Sequence, residues 1–501
     1  MDLIIAENVS FQRFGEKIFQ HTNFCIKKGD HIYVAGNNGA GKTSLLKGIS
    51  KQYPLYSGIL KFPHFDQLKV INPTLSFNSY LCFVDFNLHH YLPNYLEKFY
   101  QQRYHSCELE EFPNVFDFLY NERNIFIEKP IENILLKQKI GTFLSLFNLE
   151  PLKNESVIEL SNGENKKLLI IKALLKDPEI LILDNPYLGL DASGVLTMES
   201  IFKTLDSLGK TIILSNADNC YSPIFKTRWT VNKQKIIEST LNTKNNYSKP
   251  NFLYDFKQEN IENHEILFKI VNGNITYGDK IIFKNINWTI KTSEKWILKG
   301  KNGSGKSSLL GLIFADHPQA YKNEIYLFGK KRGTGESIWD IKAKIGYLSP
   351  ELYLHFLKPY TCLEIVASGI NEYKPIDRNY SEEEIEKTNK LLQFFNLEKK
   401  VNSSFLNISF GEQRLVLLLR AIIKQPKLLI LDEPFQGIDE ENQNLAMDLL
   451  NGYFQENKSS SMVLITHQND FEWKIINREI ELKNGNIQYI GEKKKKKIVI
   501  L

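Results

Sequence analysis

Cysteine is scarce and scattered: Cys25, Cys82, Cys107, Cys220 and Cys362 are the five in 501 residues, and no two stand at C-x-x-C spacing. An odd, dispersed set excludes a disulfide scaffold and a zinc ribbon, and it suits a reducing cytoplasm. Long apolar runs are missing as well. No stretch reaches the ~18–20 uncharged apolar residues of a spanning helix, and the richest, Leu415 to Ile423, is interrupted by Arg420. The N-terminus, MDLIIAENVS, carries an acid at position 2 and no basic segment ahead of an apolar core, so no signal peptide is expected. Nor does one sign of charge dominate: 63 Lys+Arg against 58 Asp+Glu leave +5, too small a surplus to single out nucleic acid as a partner. With 42% hydrophobic and 24% charged residues the composition is that of an ordinary globular protein, not of a collagen or a wholly disordered chain.

What is present is a duplication. Residues 36–43 read GNNGAGKT and residues 300–307 read GKNGSGKS, an offset of 264. LSNGE at 160–164 is answered by ISFGE at 408–412, and LILDNP at 181–186 by LILDEP at 429–434. Ser161 precedes Asp184 by 23 residues, as Ser409 precedes Asp432. The same motifs in the same order twice divide the chain into domains at 1–240 and 266–492. A polar, Asn-rich linker with Pro250 fills 241–265, and a basic tail with five consecutive lysines occupies 493–501.

Each repeat opens with a short apolar strand, His31–Ala35 or Trp296–Lys299, entering a glycine-rich turn that leads into a helix. Strand, GxxxxGK[ST] and helix in that order make a phosphate-binding loop. The expected nucleotide contacts are Gly36, Asn37, Asn38, Gly39, Ala40, Gly41, Lys42, Thr43 and Ser44 in the first repeat. In the second they are Gly300, Lys301, Asn302, Gly303, Ser304, Gly305, Lys306, Ser307 and Ser308. The glycines let backbone N–H groups converge on phosphate oxygens, and the helix N-terminus adds its positive end. Lys42 and Lys306 would contact the β- and γ-phosphates, while Thr43 and Ser307 would ligate Mg²⁺. Upstream, Phe14 and Tyr277 stand 28 and 29 residues before the loop lysines, as flat rings that could stack on adenine or pack in a β-subdomain core. Further on, Ser161-Asn-Gly163 and Ser409-Phe-Gly411 offer a hydroxyl and a glycine backbone to a γ-phosphate at a helix start.

Walker A, the Ser-x-Gly-Glu signature, an apolar strand ending in Asp184 or Asp432, and Gly189-Leu-Asp191 or Gly437-Ile-Asp439 resemble the ATP-binding cassette (ABC) ATPases, two cassettes in one chain. Residues 316–352 and the stretch Phe99–Tyr104 are similar to the ModF type of twin-cassette protein, also labelled photorepair-protein-like and usually described as molybdate-transport ATP-binding proteins. The resemblance implies an α/β fold: two tandem P-loop domains, each a mainly parallel sheet with an antiparallel β-subdomain and a helical signature subdomain. It implies ATP and Mg²⁺ as ligands, with Asp184 and Asp432 joining Thr43 and Ser307 at the metal. It also implies head-to-tail pairing of the cassettes, each nucleotide lying between one cassette's Walker motifs and Ser161 and Gly163, or Ser409 and Gly411, of the other.

The repeats are unequal. After Asp432 comes Glu433, a carboxylate able to polarise the attacking water; after Asp184 comes Asn185, an amide that can orient water but not take its proton. The second repeat places His467 at the switch position, for which Asn216 reads as the first-repeat counterpart. Catalysis is therefore expected from Lys306, Glu433 and His467, with the first site degenerate. At the Q-loop, Glu351 would stand in for the usual Gln in the second repeat, and Gln101 or Gln102 in the first. The aromatic-rich segment 62–98 reads as an elaborated β-subdomain or a partner surface.

Three roles fit: an energy-coupling ATPase of a separate membrane permease, a ribosome-acting ATPase, and a repair or regulatory ATPase. The linker of about 25 residues lacks the long charged helix of the ribosomal class, and no zinc hook or coiled coil of the repair class is seen. The expectation is a cytoplasmic protein, peripheral at the membrane, with a separate permease as partner.

Overall fold

The computed structural model describes residues 1–13, 15–86, 112–120, 134–190, 192–216, 222–232, 234–239, 265–277, 280–301, 303–350, 352–466, 473–483 and 485–493. The chain divides into two compact units, Met1–Asn245 and Asn246–Leu501.

In the first unit the strands are β1 (Asp2–Arg13), β2 (Glu16–Lys27), β3 (Ile32–Ala35), β4 (Leu55–Lys61), β5 (Leu81–Val84), β6 (Ile180–Asp184), β7 (Thr211–Ser215), β8 (Thr227–Asn232) and β9 (Lys235–Ser239). A small antiparallel sheet runs β2-β1-β4. The main sheet runs β5-β6-β7-β3-β8-β9, parallel except for the last pair. The continuous apolar run of β6 follows from burial on both faces. Side chains alternate across a strand: Ile180 and Ile182 join one core with Ile32, Val34 and Leu45, while Leu181 and Leu183 join another with Leu169, Ile212 and Leu214. The helix Lys42–Ile49 packs on the first face and the helix Asn162–Leu174 on the second. Each such Leu or Ile contributes roughly 1.5–3 kcal/mol by leaving water.

The second unit repeats the plan with β10 (Ile266–Tyr277), β11 (Lys280–Lys291), β12 (Lys295–Gly300), β13 (Glu324–Leu327), β14 (Lys330–Lys331), β15 (Ile345–Leu348), β16 (Leu428–Asp432), β17 (Ser461–Ile465), β18 (Arg478–Lys483) and β19 (Asn486–Glu492). Its antiparallel sheet is β11-β10-β13-β14, and its main sheet β15-β16-β17-β12-β18-β19 matches the first unit's order strand for strand. The expected α/β fold, parallel sheet plus antiparallel subdomain, is what each unit has. Among the described residues no helix is long and apolar enough to cross a membrane.

The segment 62–98 departs from expectation. Its described part is not an elaborated β-subdomain: it holds the helices Pro63–Ile71 and Phe77–Tyr80 and then β5, the edge strand of the main sheet. Leu81 pairs with Ile180 as Ile345 pairs with Leu428. Leu81-Cys-Phe-Val84 is too short to show a period, so its place is set by pairing with β6.

Candidate functional site

The main sheet of each unit delivers its glycine-rich loop from the middle strand, β3 or β12. Gly36 and Gly300 hold φ of +145° and +155°. A side chain at Gly36 would place its Cβ 2.4 Å from the Val231 carbonyl oxygen, and at Gly300 2.6 Å from that of Leu482, so the turn can be made only by glycine against the neighbouring strand. The loop closes around its lysine. The Lys42 ammonium, buried, donates to the carbonyls of Gly36 at 2.6 Å and Asn37 at 3.1 Å. Lys306 does the same to Gly300 at 2.7 Å and Lys301 at 2.9 Å. The helices beyond the loops, Lys42–Ile49 and Lys306–Ile313, have left-handed N-caps at Gly41 and Gly305, no side-chain cap and no acid in the first turn. Uncapped N–H groups beside a buried ammonium are an anion cradle. Ser44 is buried and accepts from the Arg13 guanidinium at 3.4 Å, and Ser304 is buried in its own loop.

At the end of β6, Asp184 gathers three side-chain donors: the Thr43 hydroxyl at 2.7 Å, the Asn185 amide at 3.2 Å and the Ser215 hydroxyl. Burial pushes this carboxyl above its ordinary range, and the hydrogen bonds from Ser215 and Thr43 and the Lys42 charge pull it back. Hydroxyl plus carboxylate is the hard-oxygen set that Mg²⁺ prefers, and Mg²⁺ takes few protein ligands beside phosphate and water. Among the described residues no three His, Cys, Asp or Glu side chains gather as a metal cage; the Thr43 hydroxyl on the Asp184 carboxyl is a pair that fits a cation shared with phosphate.

Asn185 and Glu433 occupy one and the same backbone place. Both are left-handed, φ +53° and +51°. The Asn185 N–H donates to Ser215 O at 2.9 Å, and the Glu433 N–H to Ile465 O at 3.0 Å. Asp432 and Glu433 are both buried, each 9% exposed. The same pairs fix a second equivalence. Asp184 lies beside Ser215 in the sheet and Asp432 beside Ile465, so Asn216 matches Thr466, and the residue matching His467 is Ala217. Asn216 is therefore one position away from the switch residue expected of it; it is buried, its N–H reaching Val34 O at 3.4 Å. His467 and Ala217 lie outside the described residues. β5 matches β15, so the counterpart of Ser349 is Asp85, and the Q-loop residues beyond, Asn87 among them, lie outside the described residues. Glu351, Gln101, Gln102, Phe14, Asn302 and Asp191 lie outside the described residues, as do the Tyr277 side chain, the linker up to 264 and the tail from 494.

The signature serines cap helices. Ser161 and Ser409 each accept from the N–H three residues on, Glu164 or Glu412, at 3.4 Å, while that glutamate receives the serine N–H, a complete capping box. The serine hydroxyl also donates to the glutamate, at 2.7 Å in the first unit and 2.9 Å in the second. Gly163 is half-buried and Gly411 buried behind their serines. Five residues past each serine stands a buried base that sequence reasoning passed over. Lys166 donates to Pro186 O at 2.6 Å, just past the end of β6, with the Phe86 ring 5.1 Å away. Arg414 donates to Ser349 O at 2.9 Å, at the end of β15. Their equal spacing from the signature was the available signal. Each ties the signature helix to the rim of the nucleotide site in its own unit. Burial lowers the Lys166 ammonium to about 7.

The family model described as ABC transporter matches residues 19–188 and 283–436. An uncharacterized ABC transporter ATP-binding protein of Schizosaccharomyces pombe is 29% identical over 500 residues, covering 96% of this chain and 98% of its own length. The ABC transporter ATP-binding protein ModF of Escherichia coli is 27% identical over 481 residues, 92% of this chain and 93% of its own. A solved ATP-binding cassette bound to ADP and Pi is 26% identical, with a TM-score of 0.38 over 45% of this chain and 98% of its own.

Proposed function

The chain belongs to the ABC transporter family, as a twin-cassette ATP-binding protein and ATP hydrolase, and from that premise we propose that its two nucleotide sites divide the labour. The second unit hydrolyses ATP and the first holds it. The observation carrying this is that Asn185 and Glu433 share one backbone conformation and one strand partner, so the exchange alters chemistry and leaves geometry alone. In the second unit Lys306 and the Gly300–Gly305 backbone bind the phosphates. Glu433 accepts the proton of the attacking water, with His467 proposed at the γ-phosphate. Mg²⁺, when bound, neutralises phosphate charge; Ser307 and Asp432 would hold it there, and Thr43 and Asp184 in the first unit. Adenine stacking on Phe14 and Tyr277, and γ-phosphate contacts from Ser161, Gly163, Ser409 and Gly411 through head-to-tail pairing of the cassettes, belong to the same reading.

Hydrolysis in this reading serves transport: an energy-coupling subunit at the cytoplasmic face, working with a separate permease of molybdate type. The likeness to ModF over 92% of the chain supports it. Two measurements test the two levels. Loss of a general base costs about 10²–10⁴-fold in rate, so Glu433→Gln should lower steady-state ATPase turnover by that factor while Asn185→Ala changes it less than about 3-fold; equal losses overturn the asymmetry. Glu433→Gln held on ATP should then co-purify with a membrane permease. Co-purification with ribosomes alone would reassign the role and leave the ATPase reading standing.

A further inference from the structure

The first unit lacks the carboxylate that Glu433 gives the second, and has one at Asp85 where the second has Ser349. In the parallel pairing of β5 with β6 the last pair is Val84 beside Leu183, and Asp85 and Asp184 are the residues that follow each of them. Neighbouring strands lie roughly 4.8 Å apart, so two residues that directly follow a ladder pair leave it close to one another. Burial is the main influence raising the Asp184 carboxyl, and the Asp85 charge adds to it in the same direction. In the second unit the last pair is Leu348 beside Leu431, and Ser349 and Asp432 follow it in the same way. The exchange is reciprocal. Where the second unit has Ser349 and Glu433, the first has Asp85 and Asn185, so each site keeps two carboxylates but in different places.

Placement decides what they can do. Glu433 comes after Asp432 along the chain and turns away through a left-handed residue. Asp85 approaches Asp184 from the neighbouring strand, and the Thr43 hydroxyl already lies on Asp184 at 2.7 Å. Two like charges side by side, one of them buried, repel, and a cation between them would add to the relief that Lys42, Thr43 and Ser215 already give Asp184. A carboxylate pair with a hydroxyl is a stronger Mg²⁺ set than one carboxylate with a hydroxyl.

We propose that Asp85 is a second carboxylate of the first unit's cation site, making this the tighter of the two Mg²⁺ sites, so that the first unit retains its nucleotide as a magnesium complex. The inference rests on the nucleotide-holding role of the first unit and adds to it a residue and a ranking. Asp85 acts on the metal and its phosphates, not on the attacking water.

The test reads binding, not turnover. In the full chain carrying Lys306→Ala, a fluorescent ATP analogue reports the first unit; in the chain carrying Lys42→Ala it reports the second. Analogue binding is titrated with Mg²⁺ from an EDTA-treated start. The first unit should reach half-effect at lower Mg²⁺ than the second. Asp85→Asn, and Asp85→Ser as the residue present in the other repeat, should raise the first unit's half-effect concentration about 10-fold or more, leave binding in EDTA unchanged or tighter, and be rescued by Asp85→Glu. An unchanged Mg²⁺ dependence in both variants overturns the inference while the nucleotide-holding reading survives. Loss of binding in EDTA as well would make Asp85 a structural residue and overturn it too. Failure of the Lys306→Ala chain to bind the analogue at any Mg²⁺ would remove the nucleotide-holding reading itself, and the inference with it.

Discussion

At the scale of single residues, position relative to a strand end counts for more than residue type. Lys166 shows it. Its ammonium is buried behind the signature helix, and burial holds it near 7, far below the usual lysine range. Because the folded value is depressed, the unfolded chain binds the extra proton between about 7 and the ordinary lysine value. Stability of the first unit should therefore rise with pH across that window, by about 1 kcal/mol per pH unit, and be flat in this respect below 7. Lys166→Met should abolish that slope, with its stability relative to the parent greatest near neutral pH and least near pH 10. Chemical denaturation followed at pH 6, 8 and 9.5 measures it, and a slope unchanged in the variant would refute the burial argument. The Arg414 counterpart cannot deprotonate, so that position opens no such window in the second unit, where the buried Lys295, lowered to about 8, opens its own.

At the scale of elements, what could be read from sequence was whatever a local signal marks. The phosphate loops were legible because glycine spacing and a following Lys are demanded by backbone geometry. β6 and β16 were legible because four apolar residues end in an acid. The helix Glu382–Phe394 carries a local start signal of its own: Ser381 caps it, Glu384 returns the bond, and three acids fill the first turn. Ser381→Ala should cost about 1 kcal/mol in the second unit's melting free energy and leave ATP turnover unchanged; a loss of turnover without destabilisation would contradict a purely capping role. What stayed hidden was register. Leu81–Val84 carries no period, and the one-residue offset between Asn216 and His467 is visible only once Ser215 is seen beside Asp184. Asp85 escaped for the same reason, since its meaning comes from the strand beside it and not from its neighbours along the chain.

At the scale of the whole molecule, two units with the same strand order each carry a complete loop, lysine and strand-end acid. Nucleotide stoichiometry should match that count: two ATP bound per chain at saturation, falling to one in Lys42→Ala and to one in Lys306→Ala, by equilibrium dialysis. Binding of one nucleotide in the parent would mean that one of the cradles is inert.

The left-handed backbone shared by Asn185 and Glu433 has one more consequence. Asparagine visits that region several-fold more readily than most side chains, whereas an ordinary residue held there costs of order 1 kcal/mol. On the proposed division of labour, an asparagine in place of the carboxylate relaxes the first unit as well as quieting it. On the same proposal, the second unit holds its strain at Glu433, the residue assigned to the attacking water, and Asn185→Glu in the first unit would work against the local preference of the chain.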